Sequence, residues 1–245
     1  MDLQLIGTGN TAQVYDWTDG QVLKLFYKDY PRNAIDREYS NAMAVKDLDF
    51  SKPKVHEIME YHGRTGLIYD KLSGETLVDW VLRTGDLNQC AYYMSHLHKK
   101  ILQMEQKDLP GYKEFLEYHI CNSKILEANN KEEALQLLKG LPEGNTLCHG
   151  DFYPGNILIS GTDVSVIDFM NLCRGSDRYD IARTVYLIEY TPVPQEDPNK
   201  EYLINAKRNL AEKYLSFMGV TKAMIHDYLV VIKAARSGEC PNEMF

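Results

Sequence analysis

The feature that most constrains this chain is a change in the spacing of its apolar residues near residue 75. Before it, apolar residues alternate or run in short blocks, in LQLIGTG, AQVYDW, QVLKLFY, KPKVHEIMEYH and RTGLIYDKL, which is the patterning of strands. Thr18-Asp19-Gly20 joins two of these blocks as a hairpin turn, and His62-Gly63 joins two more. One stretch, PRNAIDREYSNAMAVKDL, breaks the pattern: Pro31 near its start and Ile35, Tyr39, Ala42 and Met43 on one face predict a helix. From Leu77 onward the apolar residues fall three and four apart. LNQCAYYMSHLHKKILQMEQ, GYKEFLEYHICNSKILEANN and KEEALQLLKGL read as helices, as do residues 177–190, 200–218 and 221–236. Pro192, Pro194 and Pro198 mark a loop before the second of that last group. The chain is therefore expected to be α+β and two-lobed. Residues 1–70 form an N-terminal lobe with a five-stranded antiparallel sheet and one helix. Residues 71–245 form a mainly helical C-terminal lobe of the same unit, reached through the connector YDKLSG (69–74).

Composition narrows the partners. The 245 residues are 44% hydrophobic and 25% charged, enough for cores of this kind. A net charge of −8 without a Lys/Arg cluster repels phosphate backbones, so no nucleic acid partner is expected. No apolar run is long enough to span a bilayer, and MDLQLIGTGN lacks the basic and apolar regions of a signal peptide. A cytoplasmic protein without a membrane partner is the expectation. Cys90, Cys121, Cys148, Cys173 and Cys240 are scattered with no CxxC pair, which fits reduced thiols rather than disulfides or zinc. His96 and His98 stand two apart on a helix, face different ways, and read as structural or surface residues.

The residues with chemistry cluster in three places. Gly7-Thr8-Gly9-Asn10-Thr11-Ala12-Gln13-Val14 lies between two strands, the setting of a hairpin that folds over phosphates, not of a dinucleotide-binding turn, which needs a helix next. Lys24 sits inside the apolar strand QVLKLFY and must face water or find a partner; Glu38, fourteen residues on, lies beside Ile35 and Ala42 on the predicted helix. A pair between them would hold an ammonium at nucleotide phosphates. Third, CHGDFYPGNILI and VSVIDFM form a short β-rich island among the helices. If residues 157–160 and 164–167 pair around Gly161, Asn156 and Asp168 fall at the same end of that ribbon. One carboxylate and one amide oxygen there suit Mg²⁺, which completes its shell with water and phosphate oxygens. Asp151 stands beside them, free to accept a hydroxyl proton.

HGDFYPGN followed by IDF, together with GTGNTAQVY, Lys24, Glu38, the connector and RYDIA, resembles the aminoglycoside phosphotransferase and choline kinase family, small-molecule kinases of protein-kinase-like fold. The resemblance covers essentially the whole chain. It implies that Asp151 is the catalytic base and that Asn156 and Asp168 are the metal ligands. It further implies that Lys24, oriented by Glu38, contacts the phosphates of ATP or GTP, and that the base ring meets the connector backbone from Asp70 to Leu72. His149 then packs the loop and Asp180 ties it down. The family often carries histidine where this chain has Tyr153 and tryptophan where it has Phe169; neither change removes a ligand or the base.

The acceptor implied is a small molecule bearing a hydroxyl. Only twelve residues separate Asp168 from Asp180, too few for the long activation loop of a protein kinase. A non-catalytic nucleotide-binding protein is the other alternative. The loop EYTPVPQEDPNKEY, with Glu189, Glu196, Asp197 and Glu201, and the tail with Glu239 and Glu243 are either a solvated acidic surface or the border of a cleft for a polyamine such as an aminoglycoside.

Overall fold

Five antiparallel strands make the first layer: β1 (Leu5–Thr8), β2 (Ala12–Asp16), β3 (Gln21–Phe26), then, after helix α1 (Arg32–Val45), β4 (Val55–Tyr61) and β5 (Arg64–Asp70). Their order across the sheet is β1-β2-β3-β5-β4. The structure is a computed structural model that describes residues 3–18 and 20–243, except the side chain of Glu243. Asp19 of the expected hairpin turn and the last two residues of the tail lie outside the described residues. The strand alternation sorts side chains as the period demands. Leu23, Leu25 and Ile68 are buried on one face beneath Trp17, Met59 and Tyr61. Phe26, Leu67 and Tyr69 belong to the other cluster, with Ile35, Ala42 and Val45 of α1. Lys24 is in register with Val14 and Leu67 in the middle of the sheet.

The second layer is helical. After β6 (Glu75–Thr76) come α2 (Leu77–Thr84), α3 (Leu87–Leu102), α4 (Tyr112–Asn122) and α5 (Ala128–Gly140). The island follows: β7 (Thr146–Cys148), β8 (Ile157–Ser160), β9 (Asp163–Val166) and β10 (Cys173–Gly175). Three helices close the chain, α6 (Asp177–Glu189), α7 (Lys200–Met218) and α8 (His226–Glu239). Here α3 packs on α7, α4 on α8, and α6 on both α7 and α8. Met94, Leu116, Ile120, Val185, Ala211 and Ile232 are fully buried among them. Among the described residues no single helix is long and apolar enough to cross a membrane.

Two short strands, β6 and β10, add to the expected island, and the helices depart from the sequence expectation in three places. The helix expected over GYKEFLEYHICNSKILEANN stops at Asn122, because Ser123 turns extended (φ −60°, ψ 131°) and its Oγ accepts from the amides of Ile125 (3.3 Å) and Leu126 (3.2 Å). An additional short helix, α2, is set off by Thr76, whose hydroxyl accepts from Asp79 N, and ended by Gly85 in the left-handed region. The last helix begins with a 3-10 turn at Lys222–Ile225 and runs on to Glu239. That extension matters below.

The helical layer holds by packing, so truncation inside it is costly. Leu116→Ala on α4 is expected to lower unfolding free energy by about 2–5 kcal/mol, seen as a lower urea midpoint at unchanged slope.

Candidate active site

The site is built around a short segment held from below. Asp180, in the first turn of α6, is fully buried, and its carboxylate accepts from the backbone amides of His149 (2.6 Å) and Gly150 (2.8 Å) and from His98 Nε2 (3.0 Å). Burial works to raise this carboxyl, but the His98 hydrogen bond, the nearby imidazoles and the Gly150 amide outweigh it and hold it below the usual range. His98 Nδ1 lies 2.6 Å from Tyr214 Oη, so the histidine is structural, while His96 meets the Tyr92 carbonyl and ring on its own helix. Gly150 has φ +74°, and a Cβ there would lie 2.2 Å from the Asn171 carbonyl oxygen, so only glycine fits.

From Gly150 the chain enters Asp151, then a 3-10 turn at Pro154–Asn156 that brings Asn156 back. Asn156 Nδ2 donates to both the Asp151 carbonyl (2.9 Å) and Asp151 Oδ2 (2.9 Å). β8 and β9 pair with Ile157 opposite Val166, and Ile167 N donates to the Asn156 carbonyl (2.9 Å). Asn156 and Asp168 therefore emerge at the same end of the ribbon. Asp168 stands in the left-handed region (φ +68°) and accepts from Lys24 Nζ at 3.3 Å. Lys24 Nζ also donates to Glu38 Oε1 at 2.7 Å, and Tyr69 Oη donates to the same oxygen at 3.0 Å.

The two carboxyls of the site are tuned apart. Burial pushes Asp151 up to about 6, against the pull of the Arg183 guanidinium and the Asn156 amide. Burial acts on Asp168 in the same direction, but the Lys24 ammonium outweighs it and keeps Asp168 below the ordinary carboxylate range. Lys24 loses by burial and gains more from Asp168 and Glu38, so its ammonium stays charged. His149 is buried beside Phe152 and Phe169, and burial lowers it to about 4.

Other expected residues take these places. Gly7 and Thr8 end β1, and Gly9 and Asn10 lie in the turn to β2, where Gly9 N donates to the Ala12 carbonyl (2.9 Å) and Tyr27 Oη to the Gly9 carbonyl (3.0 Å). In the connector, the amides of Asp70 and Lys71 donate to the carbonyls of Lys54 (2.9 Å) and Gly20 (2.8 Å), and the next residue is Leu72. The Tyr153 ring folds over the 3-10 turn, within 2.8 Å of where a Gly155 Cβ would stand. Glu189 is paired with Lys222 (2.7 Å), and Glu239 with Arg183 (2.6 Å) and Arg236 (3.1 Å), so neither carries a free charge. Two residues not singled out from sequence join the site. Asn41 Nδ2 donates to the carbonyls of Phe169 (2.8 Å) and Met170 (3.2 Å), and Arg183 Nε to that of Gly150 (3.1 Å). A polar residue one turn from Glu38 on an apolar helix face, and an arginine within DIARTVYLIE, were the available signals.

A model of the phosphotransferase enzyme family matches residues 2–212. The fold is shared with solved structures of low sequence identity. The amicoumacin kinase hAmiN, solved with AMP-PNP, Ca²⁺ and Ami, is 19% identical at TM-score 0.63, over 99% of this chain and 81% of that one. Aminoglycoside phosphotransferase APH(3'')-Id from Streptomyces rimosus, in complex with ADP and streptomycin, is 16% identical at TM-score 0.60, over 95% and 92%. A putative fructosamine-3-kinase from Haemophilus somnus is 14% identical at TM-score 0.64, over 100% and 86%. A comparison with curated proteins finds no significant match.

The opposed shifts of His149 and Asp151 give a signed pH dependence of stability in the ligand-free protein. A histidine depressed to about 4 loses stability as pH falls below its unfolded value near 6.5; a carboxyl raised to about 6 gains it as pH falls through 6. Between pH 6 and 4.5 the two nearly cancel. Asp151→Asn is expected to become less stable toward acid across that window, and His149→Gln more stable, each by up to about 1.4 kcal/mol per pH unit, read from urea unfolding at successive pH values.

Proposed function

The chain belongs to the phosphotransferase enzyme family and is a small-molecule kinase, and we propose that it moves the γ-phosphate of ATP or GTP to a hydroxyl of a small acceptor, with Asp151 as the base. The observation that carries this reading is the joined set itself: Lys24 on both Glu38 and Asp168, and Asn156 on Asp151, at one end of one ribbon. Phosphoryl transfer passes through a loose, highly charged transition state, so the protein's work is positioning and charge neutralisation.

Lys24 is suited to meet phosphate oxygens, since two carboxylates keep it charged and fix its direction. The backbone of Gly7, Thr8, Gly9 and Asn10 covers the phosphates from the β1–β2 turn. In the connector the Asp70 and Lys71 amides are engaged, which favours Leu72 for reading the edge of the base. Asn156 spends its amide nitrogen on Asp151, which leaves Oδ1 for a cation; with the ionised Asp168 it offers the hard oxygen pair that fits Mg²⁺. When bound, the ion supplies neutralisation of phosphate charge. Asp151, near 6 rather than at an ordinary carboxylate value, is a stronger base for the acceptor hydroxyl, and Asn156 holds one of its oxygens so that the other faces the acceptor. Solved neighbours that hold a nucleotide with Ca²⁺, or ADP with streptomycin, support the same reading.

A small acceptor is favoured over a peptide because β10 pairs with β7 directly after the Asp168 segment and α6 begins at Asp177, which leaves no docking loop. Aminoglycosides and other amino alcohols belong in the acceptor panel. Glu189 and Glu239 are already neutralised within the fold, so the amines of such an acceptor have the exposed Glu196 and Glu201 to meet them.

The test is nucleoside-diphosphate release from ATP and GTP over aminoglycosides, amino alcohols, amino acids and sugars. Asp151→Asn is expected to lower kcat by about 10²–10⁴ with nucleotide affinity unchanged. Lys24→Met is expected to weaken nucleotide binding about tenfold or more, from the loss of charge-assisted hydrogen bonds. Nucleotide binding without release on any acceptor, identical in Asp151→Asn, would overturn the enzyme reading and leave a nucleotide-binding pseudokinase.

A further inference from the structure

Arg183 lies mid-helix in α6, fully buried in an otherwise apolar stretch. A guanidinium in that position has to be paired. Its Nε donates to the Gly150 carbonyl (3.1 Å) and its Nη2 to Glu239 Oε1 (2.6 Å), with the group 5.5 Å from the centre of the Phe115 ring. Glu239 Oε1 also meets Arg236 Nη1 at 3.1 Å, one turn earlier on α8. Gly150 is thus gripped on both sides from one face of α6: Asp180 takes its N–H and Arg183, three residues on, holds its C=O. That carbonyl belongs to the same peptide unit as the Asp151 nitrogen, so fixing it fixes how the chain enters Asp151.

The far end of the arrangement is equally built. A Cβ on Gly238 would lie 2.0 Å from the His119 carbonyl oxygen, so α8 approaches α4 as closely as glycine allows. Ser237 Oγ lies 2.7 Å from Ser123 Oγ, the residue that ends α4. The end of α8 is therefore seated on α4 just where Glu239 reaches toward Arg183. Glu239 and Arg236 lie beyond residue 212, where the family match ends.

We propose that Glu239 is a positioning residue for phosphoryl transfer: through Arg183 it holds the Gly150–Asp151 peptide, so that the end of the last helix sets the attitude of the base. The kinetic arm of its test rests on the kinase reading above; the exchange arm does not. The experiment uses the full chain with Glu239→Ala and Glu239→Gln, which keeps an acceptor oxygen. Arg183→Lys serves as a second route, since an ammonium cannot serve Gly150 and Glu239 with the same planar fork. Glu212→Gln, exposed on α7, is the control.

Amide hydrogen exchange over residues 148–153 is expected to quicken about fivefold or more in Glu239→Ala and Arg183→Lys, to stay near wild type in Glu239→Gln, and to stay unchanged in β3 and β5. With an acceptor from the panel, kcat is expected to fall about tenfold or more in Glu239→Ala at a nearly constant nucleotide KM, and to recover in Glu239→Gln. Exchange and kcat both within about twofold of wild type in Glu239→Ala and Arg183→Lys would overturn the proposal. So would exchange that rises equally in the sheet and the loop, with the kcat loss matched by a smaller fraction of nucleotide-binding protein, since Glu239 would then be structural only. A wild type that releases no diphosphate on any acceptor defeats the kinase reading, while the exchange arm still decides whether Glu239 holds the peptide.

Discussion

Everything in the segment from His149 to Asn156 hangs on one carboxylate that water does not reach. Asp180 satisfies two consecutive backbone amides, those of His149 and Gly150, and takes a third hydrogen bond from His98. Successive amides of an extended chain point in opposite directions, so turning both toward one acceptor directly after strand β7 requires a departure from that backbone. Gly150 supplies it with positive φ against the Asn171 carbonyl. The arrangement is expensive to break: removing one partner of a buried charge typically costs about 3–5 kcal/mol. That cost is what makes the loop rigid. A base whose chain can drift by an ångström loses the near-attack geometry on which rate depends.

The N-terminal half meets this segment through α1. Glu38 and Asn41 lie three residues apart, hence on neighbouring positions of one face. Glu38 takes Lys24 and Tyr69, whereas Asn41 takes the carbonyls of Phe169 and Met170. One helix therefore aligns the lysine from the sheet and also fastens the segment that follows Asp168. Lys24 closes the circuit by binding Asp168 itself. Displacement of α1 would disturb the ammonium and the expected metal ligand together, which couples the two halves of the site without a separate device.

Much of this was legible in the chain because it is local. Period-two blocks with a hairpin turn specify the sheet, and a two-strand ribbon around Gly161 puts Asn156 and Asp168 at one end, as β8 and β9 do. The Lys24–Glu38 pair needed only a strand and its covering helix. What escaped was either non-local or decided by a competing hydrogen bond. Arg183 and Glu239 are fifty-six residues apart, and nothing in DIARTVYLIE says which carboxylate its arginine finds. The helix after Gly111 keeps its apolar spacing past Asn122, yet Ser123 ends it by turning its hydroxyl onto the amides ahead and onto Ser237. Glu189 and Glu239 read as either surface charge or the border of a cleft because their cationic partners come from other helices. Tyr153, two residues from Asp151, had no readable direction until the absent Cβ of Gly155 made room for its ring.

The opposite tuning of Asp151 and Asp168 follows from what each faces, not from their chemistry, which is identical. Both are half-buried, and the desolvation that this brings would by itself raise both. Asp168 touches an ammonium at 3.3 Å and is thereby kept ionised, the state a cation ligand needs. Asp151 touches only a neutral amide, while the guanidinium nearest to it, on Arg183, is already engaged by Glu239 at 2.6 Å. Arg183 therefore steadies the chain at Asp151 without lending it a full positive charge.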